Sequence, residues 1–256
     1  MSKGNKKGGE EGKKGKICLL PSALTTVSLF SGFYAIVSAI NGQYMHAAVA
    51  ILVSGIFDGL DGRVARMTGT TSRFGMEYDS LCDLVAFGVS PAILAYEWVL
   101  RDYGRYGWLA AFLYVATTAL RLARFNTQDT GSVKTAFTGL PCPAAGSLIA
   151  TSVLFCDFFG LSGPIRNNTV LGVVYCLSYL MVSSVPYQSF KHPKTDRAKK
   201  FQVLVGMVLV IMVLATEPQV TLFAIVALYI LSGPLAAGYH LLVRDKHAVE
   251  EQENVI

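Results

Sequence analysis

Long apolar stretches, separated by short polar ones, follow one another along most of this chain. Each stretch is close to the ~20 residues that a helix needs to cross the hydrocarbon core of a bilayer. The pattern predicts eight transmembrane helices, at 23–40, 44–60, 80–100, 107–126, 143–160, 168–187, 201–216 and 219–243. We therefore expect an all-α fold, a polytopic bundle of membrane-spanning helices.

Composition and charge agree with a membrane protein and predict its orientation. Hydrophobic residues make up 52% and charged residues 15% of the 256 residues, whereas soluble domains carry about a quarter charged residues. With both ends of the chain inside the cell, nineteen Lys and Arg residues fall on cytoplasmic segments and three on outer loops. Cytoplasmic segments carry such an excess. We expect an integral protein of the cell's inner or plasma membrane, with no nucleic-acid partner.

Four aspartates interrupt the apolar pattern within 26 residues, at Asp58, Asp61, Asp79 and Asp83. Residues three or four apart share a helix face, so two such pairs on consecutive helices could face each other as a box of four carboxylates. These charges are costly near hydrocarbon unless cations neutralise them. Carboxylates without nearby His or Cys favour Mg²⁺ or Mn²⁺, and two such ions with shared ligands can clamp a phosphoryl group.

Small and basic residues between the aspartates suit a phosphate ligand. Glycines that would let a ligand or another helix come close recur at Gly55, Gly59 and Gly62. Three arginines follow, Arg63, Arg66 and Arg73. Their guanidinium groups could bind a diphosphate held beside metal ions. The alternative is that they anchor helix ends and neutralise the aspartates.

The stretch "DGLDGRVARMTGTTSRFGMEYDSLCD" resembles the signature of the CDP-alcohol phosphotransferases. These are integral membrane enzymes that transfer a phosphoalcohol from a CDP-linked donor to an acceptor hydroxyl and release CMP. The residues that carry the resemblance are Asp58, Gly59, Asp61, Gly62, Ala65, Arg66, Gly75, Asp79 and Asp83. The resemblance implies that the four aspartates bind two metal ions, Mg²⁺ or Mn²⁺, and that Asp83 is also the general base. It further implies a site for the CDP moiety lined by Gly62, Ala65, Arg66 and Gly75.

Three further stretches, "LPSALTTVSLFSGFYAI", "ALRLARFN" and "FTGLPCPAAG", resemble the phosphatidylserine synthases of this family. In the second stretch, Arg121 and Arg124 would share a helix face, with Asn126 just beyond, and bind the carboxylate of serine. The alternative is that these arginines anchor the helix at the membrane surface. In the third, glycine and proline would shape a fixed loop or a broken helix start. Ser22 departs from the pattern, because many relatives have Asn there.

The resemblance implies transfer of the phosphatidyl group from CDP-diacylglycerol to the hydroxyl of L-serine. The distribution of Lys and Arg predicts that the site faces the cytoplasm. The arginines would equally suit the phosphate of glycerol 3-phosphate or inositol phosphate, so these acceptors stay open. A divalent-cation transporter is the alternative of another class. It is disfavoured because the carboxylates gather at one membrane edge instead of following a path across the bilayer.

These arguments divide the chain into four parts. Residues 1–16 form a basic, disordered cytoplasmic tail, because they are rich in Gly and Lys and have no apolar face. Residues 17–165 form the catalytic core, 166–245 add further transmembrane helices, and 246–256 form a second cytoplasmic tail. Membrane lipids surround the bundle, and we expect a homodimer. The added helices either complete the bundle or make the dimer contact.

Overall fold

The structure, a computed structural model, describes residues 11–69, 72–128, 137–183, 185–187, 206, 212–213 and 216–253. Nearly all of these residues are helical, as predicted. The elements in chain order are α1 (Glu11–Ile40), α2 (Tyr44–Thr68), α3 (Arg73–Asp83), a π-helical segment π1 (Leu84–Val89), α4 (Ser90–Trp98), a 3₁₀ turn (Leu100–Tyr103), α5 (Arg105–Gln128), β1 (Phe137–Thr138), α6 (Cys142–Phe158), α7 (Pro164–Val182), β2 (Pro186–Tyr187) and α8 (Pro218–Glu253).

Seven of the eight predicted spans fall on these helices, and the span at 201–216 lies almost wholly outside the described residues. Among the described helices, three are long and apolar enough to cross a membrane by themselves, at Leu20–Ile40, Arg73–Trp98 and Pro218–Ala237. The chain is therefore an integral membrane protein, but the count of eight crossings is not confirmed. Helix α6 is apolar as well, although it is only 17 residues long.

Consecutive helices run up and down, so the chain has two distinct ends. One end holds the turn between α2 and α3, together with the end of α5 and the start of α6. The opposite end holds the α1–α2 turn, the end of α4 and the α6–α7 connection. Buried apolar side chains pack where α4 to α7 meet, and a second, alanine-rich cluster packs between α1, α2 and α6.

Helices α3 and α4 form one rod that is interrupted by π1. The rod crosses α1 closely, since a Cβ on Gly32 would lie 2.8 Å from the Cα of Ala86. The Ser90 hydroxyl lies 2.7 Å from the carbonyl oxygen of Gly32 and 2.8 Å from that of Val85, so it can donate to either. Single π turns within α-helices are frequently found at functional sites, and this one begins directly after Asp83.

A two-residue antiparallel strand pair joins the chain before α6 to the chain after α7, with Phe137 opposite Tyr187. The predicted helix at 168–187 is wrong for its last residues, since α7 ends at Val182 and Pro186 cannot continue a helix. The expected fixed loop before α6 is present. Gly139 has φ 86°, and a Cβ there would lie 2.6 Å from the Met181 carbonyl oxygen. Only glycine fits both the backbone angle and the space.

The predicted disordered tail at 1–16 needs a correction, since α1 already begins at Glu11. Extending an existing helix adds one backbone hydrogen bond per residue, and Glu and Lys are good helix formers, so the apolar helix continues into polar sequence. Residues 1–10 lie outside the described residues. At the other end, α8 continues to Glu253, through most of the predicted second tail.

Candidate active site

Helices α2 and α3 bring three of the predicted metal ligands together. Asp58, Asp61 and Asp79 each place a carboxylate oxygen so that all three oxygens lie within 4.8 Å of one another. The turn between the helices makes this possible. Gly69 ends α2 with φ 62°, and the Ser72 hydroxyl caps α3 by accepting the backbone N–H of Gly75 at 3.0 Å.

The fourth predicted ligand, Asp83, stands one turn further along α3. Its carboxyl group is close enough to that of Asp58 for the two to interact electrostatically. Of the four predicted ligands, three thus lie together as one group of carboxylates, and Asp83 lies beside Asp58.

Helix α1 contributes a residue that the sequence analysis missed. The Thr25 hydroxyl lies 2.6 Å from Oδ2 of Asp61, and Thr25 itself is buried. This bond fixes the orientation of one carboxylate from a helix that carries none of the aspartates. A signal was available in the sequence, because α1 has buried hydroxyl residues three apart at Thr25, Ser28 and Ser31. That spacing marks one polar stripe facing α2.

The carboxylate group suits a divalent metal ion. Oδ1 of Asp79 is buried and accepts no hydrogen bond from any described residue. A buried carboxylate oxygen without a donor is costly, and a cation bound there would remove that cost. The donor set consists of oxygens alone, which matches hard ions such as Mg²⁺ or Mn²⁺ better than softer metals.

A cavity of about 190 Å³ adjoins the carboxylates. All four residues predicted to bind the CDP moiety line it, namely Gly62, Ala65, Arg66 and Gly75. Asp61 and Asp79 line it too, so the cavity and the acidic group are one site. Five lining residues were not predicted as site residues, namely Pro21, Ser22, Thr25, Ser72 and Met76. Ser22 thus lines the site at the position where many relatives have Asn.

The other arginines of this stretch do not line the cavity. Arg63 and Arg73 are exposed to the surroundings of the bundle. Arg66 is exposed as well, but its Nη2 lies 3.9 Å from where a Cβ on Gly62 would stand. Its guanidinium therefore lies close to Gly62, which lines the cavity.

The three residues predicted to bind serine are only partly brought together. Nη1 of Arg121 lies 3.4 Å from Sγ of Cys142 at the start of α6, and its Nε is buried with no partner among the described residues. Asp83 is close enough to act electrostatically on the same thiol. Arg124 is exposed. Arg121 is thus the more buried of the two arginines, and it packs against the start of α6.

Asn126 faces α3, away from both arginines. Its Nδ2 donates to Oε2 of Glu77 at 3.1 Å, and its Oδ1 accepts the Ser80 hydroxyl at 3.1 Å. Two positions along a helix turn the side chain by about 200°, so Asn126 cannot share a face with Arg124. Its amide holds α5 to the turn of α3 that carries Asp79.

The fold and the site together define a class of protein, namely a helical membrane bundle with a small cavity at one end and, beside it, an acidic group that could bind a metal ion. The comparison with protein families narrows this class. The model of the CDP-alcohol phosphatidyltransferase family matches residues 18–180. The chain therefore belongs to the CDP-alcohol phosphatidyltransferase family, as its resemblance to the signature predicted.

Individual relatives agree with this membership. A CDP-diacylglycerol–serine O-phosphatidyltransferase of Helicobacter pylori is 38% identical over 215 residues, which cover 84% of this chain and 89% of the relative. One of the same name from Mycobacterium tuberculosis is 33% identical, with 90% and 82% covered. An archaetidylserine synthase of Methanothermobacter thermautotrophicus is 36% identical, with 66% and 69% covered.

Proposed function

We propose that this protein transfers the phosphatidyl group of CDP-diacylglycerol to the hydroxyl of L-serine, giving phosphatidylserine and CMP. One observation carries the proposal, namely that the cavity lined by Gly62, Ala65, Arg66 and Gly75 opens directly onto Asp61 and Asp79. A diphosphate seated there would have its phosphorus beside the carboxylate group. Family membership and the names of the relatives support the reaction and the acceptor.

Asp58, Asp61, Asp79 and Asp83 would hold the metal, as two Mg²⁺ or Mn²⁺ ions. When bound, the ions supply positive charge that neutralises the diphosphate and polarises its phosphoryl oxygens. The charge and oxygen count of the four carboxylates match two divalent ions. Thr25 keeps Asp61 oriented for this role through its 2.6 Å hydrogen bond.

The chain's own residues bind the nucleotide and move the proton. The guanidinium of Arg66 binds the diphosphate, and the lack of side chains at Gly62 and Gly75 lets the cytidine part approach the helix backbones. Asp83 accepts the proton of the serine hydroxyl, which is a poor nucleophile while protonated. The serine oxygen then bonds to the lipid-side phosphorus, the bond from that phosphorus to the CMP oxygen breaks, and CMP leaves.

Arg121 is the best-placed of the three predicted serine-binding residues. Its half-buried guanidinium contacts Cys142, a thiol on which Asp83 also acts electrostatically, and the acceptor hydroxyl must arrive beside Asp83. A serine carboxylate would supply the partner that Nε lacks. Arg124, which is exposed, would attract the acceptor from solution, and Asn126 would act by holding α3 in place.

The proposal includes a cytoplasmic site and a homodimer. The site lies at the end of the bundle where the sequence places the excess of Lys and Arg, and this supports the orientation. The apolar part of α8, Pro218–Ala237, has only 11% of its residues buried inside one chain. That surface is free to contact lipid or a second copy.

The decisive experiment supplies purified protein with CDP-diacylglycerol, Mg²⁺ or Mn²⁺, and one acceptor at a time. Serine should give metal-dependent CMP release and phosphatidylserine, whereas glycerol 3-phosphate and inositol phosphate should not. Asp83→Asn is the matched variant, since it keeps an oxygen ligand but cannot accept the proton. It should bind CDP-diacylglycerol normally and release no CMP. CMP release with another acceptor alone would contradict serine as the substrate.

A further inference from the structure

A second cavity lies at the opposite end of the bundle from the aspartates. It has a volume of about 550 Å³, within the range of cavities that bind small ligands. The α1–α2 turn, the end of α4 and the α6–α7 connection enclose it. Tyr44, which lines it, precedes Asp61 by 17 residues on α2, so the two sites are ~25 Å apart along the helix. This separation is close to the thickness of the hydrocarbon core.

The cavity contains a guanidinium that is fixed in place but has no anionic partner. Arg166 stacks over the Trp98 ring at 5.2 Å, and its Nε donates to Oδ1 of Asn167 at 3.0 Å. Its Nη1 lies 3.5 Å from the carbonyl oxygen of Leu161. In the described part of the chain no carboxylate forms an ion pair with it. A guanidinium ordered in this way is prepared to bind a phosphate.

An anion lines the same cavity without neutralising Arg166. Asp157, at the end of α6, is exposed, and no described residue forms an ion pair with its carboxylate. The cavity is therefore lined by a guanidinium and a carboxylate that do not form an ion pair with each other. That arrangement matches a ligand carrying a phosphate and an ammonium group, because each charge of the ligand finds an opposite charge.

An apolar groove of about 420 Å³ continues from the cavity along α1 and α2. Met45 and His46 line both spaces, so the groove and the cavity are neighbours. The groove faces outward, since Tyr34 is 46% and Val49 is 49% exposed. In a membrane this surface meets the acyl chains of the leaflet opposite the active site.

We propose that the cavity and groove together bind one phospholipid with a phosphoethanolamine headgroup, drawn from the leaflet opposite the active site. The lipid phosphate binds Arg166, the ammonium group binds Asp157, and one acyl chain lies in the groove beside Val49. Trp98 and Tyr44 stand at the depth where aromatic residues meet lipid headgroups. This site takes no part in phosphatidyl transfer, so the proposal does not depend on the proposed reaction.

Lipid binding to the full-length protein tests the site. The protein is placed in nanodiscs of phosphatidylglycerol, and short-chain phosphatidylethanolamine is titrated and counted by native mass spectrometry. Arg166→Gln should weaken its binding roughly tenfold, the loss expected for a charged hydrogen bond. Asp157→Asn should remove the preference for phosphatidylethanolamine over phosphatidylglycerol. Arg105→Gln, an exposed arginine at the same end that lines neither space, should change nothing.

Two further probes separate the parts of the proposal. Glycerophosphoethanolamine, which has the headgroup but no chains, should bind much more weakly than the lipid, and Val49→Trp should block the lipid alone. CMP release by each variant reports that the protein is folded, because none of these residues belongs to the active site. Unchanged lipid binding in a folded Arg166→Gln variant would overturn the proposal. Equal binding of the chain-free headgroup would overturn the role of the groove.

Discussion

Asp79 holds the clearest evidence for a metal ion at the level of single residues. Its buried Oδ1 has no donor among the described residues, and its carboxylate lies in a group of three. Without a bound cation this oxygen would be an uncompensated polar atom in a low-dielectric site. A metal ion bound to this oxygen would therefore also stabilise the folded site.

Asp79→Asn should weaken Mn²⁺ binding at least tenfold and abolish CMP release, because the substitution removes one negative charge from the carboxylate group. Electron paramagnetic resonance of added Mn²⁺ measures the affinity directly. Asp102→Asn, at the opposite end of the bundle, is the control and should leave Mn²⁺ binding unchanged. Normal Mn²⁺ affinity in Asp79→Asn would show that the ion binds elsewhere.

Arg121→Lys should raise the KM for serine about tenfold or more, because Lys keeps the charge but loses the paired hydrogen bonds to a carboxylate. The KM for CDP-diacylglycerol should stay nearly the same. Arg124→Lys is the matched comparison. Because Arg124 is exposed, this substitution should raise the KM for serine much less than Arg121→Lys does. If Arg124→Lys had the larger effect, the exposed arginine would be the carboxylate ligand.

At the residue scale, the features that could be predicted from the sequence are those that depend on the spacing of residues along one helix or two adjacent helices. The aspartates and the four glycine, alanine and arginine residues of the signature stand at fixed intervals on two adjacent helices, so helix geometry and the family signature were sufficient to predict that they lie around one site. Thr25 was missed because its partner, Asp61, is 36 residues away, and no local rule links them. The contacts of Asn126 with Glu77 and Ser80 were not predicted, because they arise only from the packing of α5 on α3.

At the scale of elements, Asn126 connects α5 to the helix that carries Asp79. Asn126→Ala should lower Mn²⁺ affinity several-fold, because both hydrogen bonds to α3 are lost and Asp79 lies between their partners. The serine KM should change little, and titration of both ligands separates these effects. Thr127→Ala, whose hydroxyl bonds only within α5, is the control. A raised serine KM with normal Mn²⁺ affinity would restore Asn126 to the acceptor site.

The crossing of α1 with π1 is a second element-scale contact that can be tested. Gly32→Ala places a Cβ 2.8 Å from a backbone atom of π1 and should destabilise the protein by about 1–3 kcal/mol. Gly172→Ala is the matched control in α7, where a Cβ meets nothing within 4 Å, and it should be neutral or slightly stabilising. Thermal unfolding in detergent compares the two. Equal midpoints would contradict the close crossing.

The elements themselves were predicted more reliably than their ends. Apolar length identifies a helix, but it does not reveal the π turn after Asp83, which depends on how α3 and α4 pack against α1. The strand pair was also missed. It consists of two residues on each side, and no periodicity can be recognised in so short a segment.

For the whole molecule, the alternating direction of the helices and the distribution of Lys and Arg predict one orientation in the membrane. The end of α5 should face the cytoplasm and the α6–α7 connection the opposite side. In a variant without native cysteines, Thr127→Cys should react with a membrane-impermeant maleimide only in inverted vesicles. Ser162→Cys should react only in right-side-out vesicles. The reverse labelling pattern would place the active site outside the cell.

The strand pair β1–β2 has a consequence for how this protein enters the membrane. It closes the base of the α6–α7 hairpin, so a segment from residue 137 to residue 187 begins and ends at the same depth. The backbone N–H of Gly139 donates to the carbonyl oxygen of Val185, just beyond α7. The backbone N–H of Leu140 donates to the carbonyl oxygen of Leu180, near the end of α7. During synthesis, the backbone N–H groups just before α6 therefore stay without these acceptors until the end of α7 and Val185 have left the ribosome. Unsatisfied backbone is costly in lipid, so we expect the two helices to be released from the translocon as a pair.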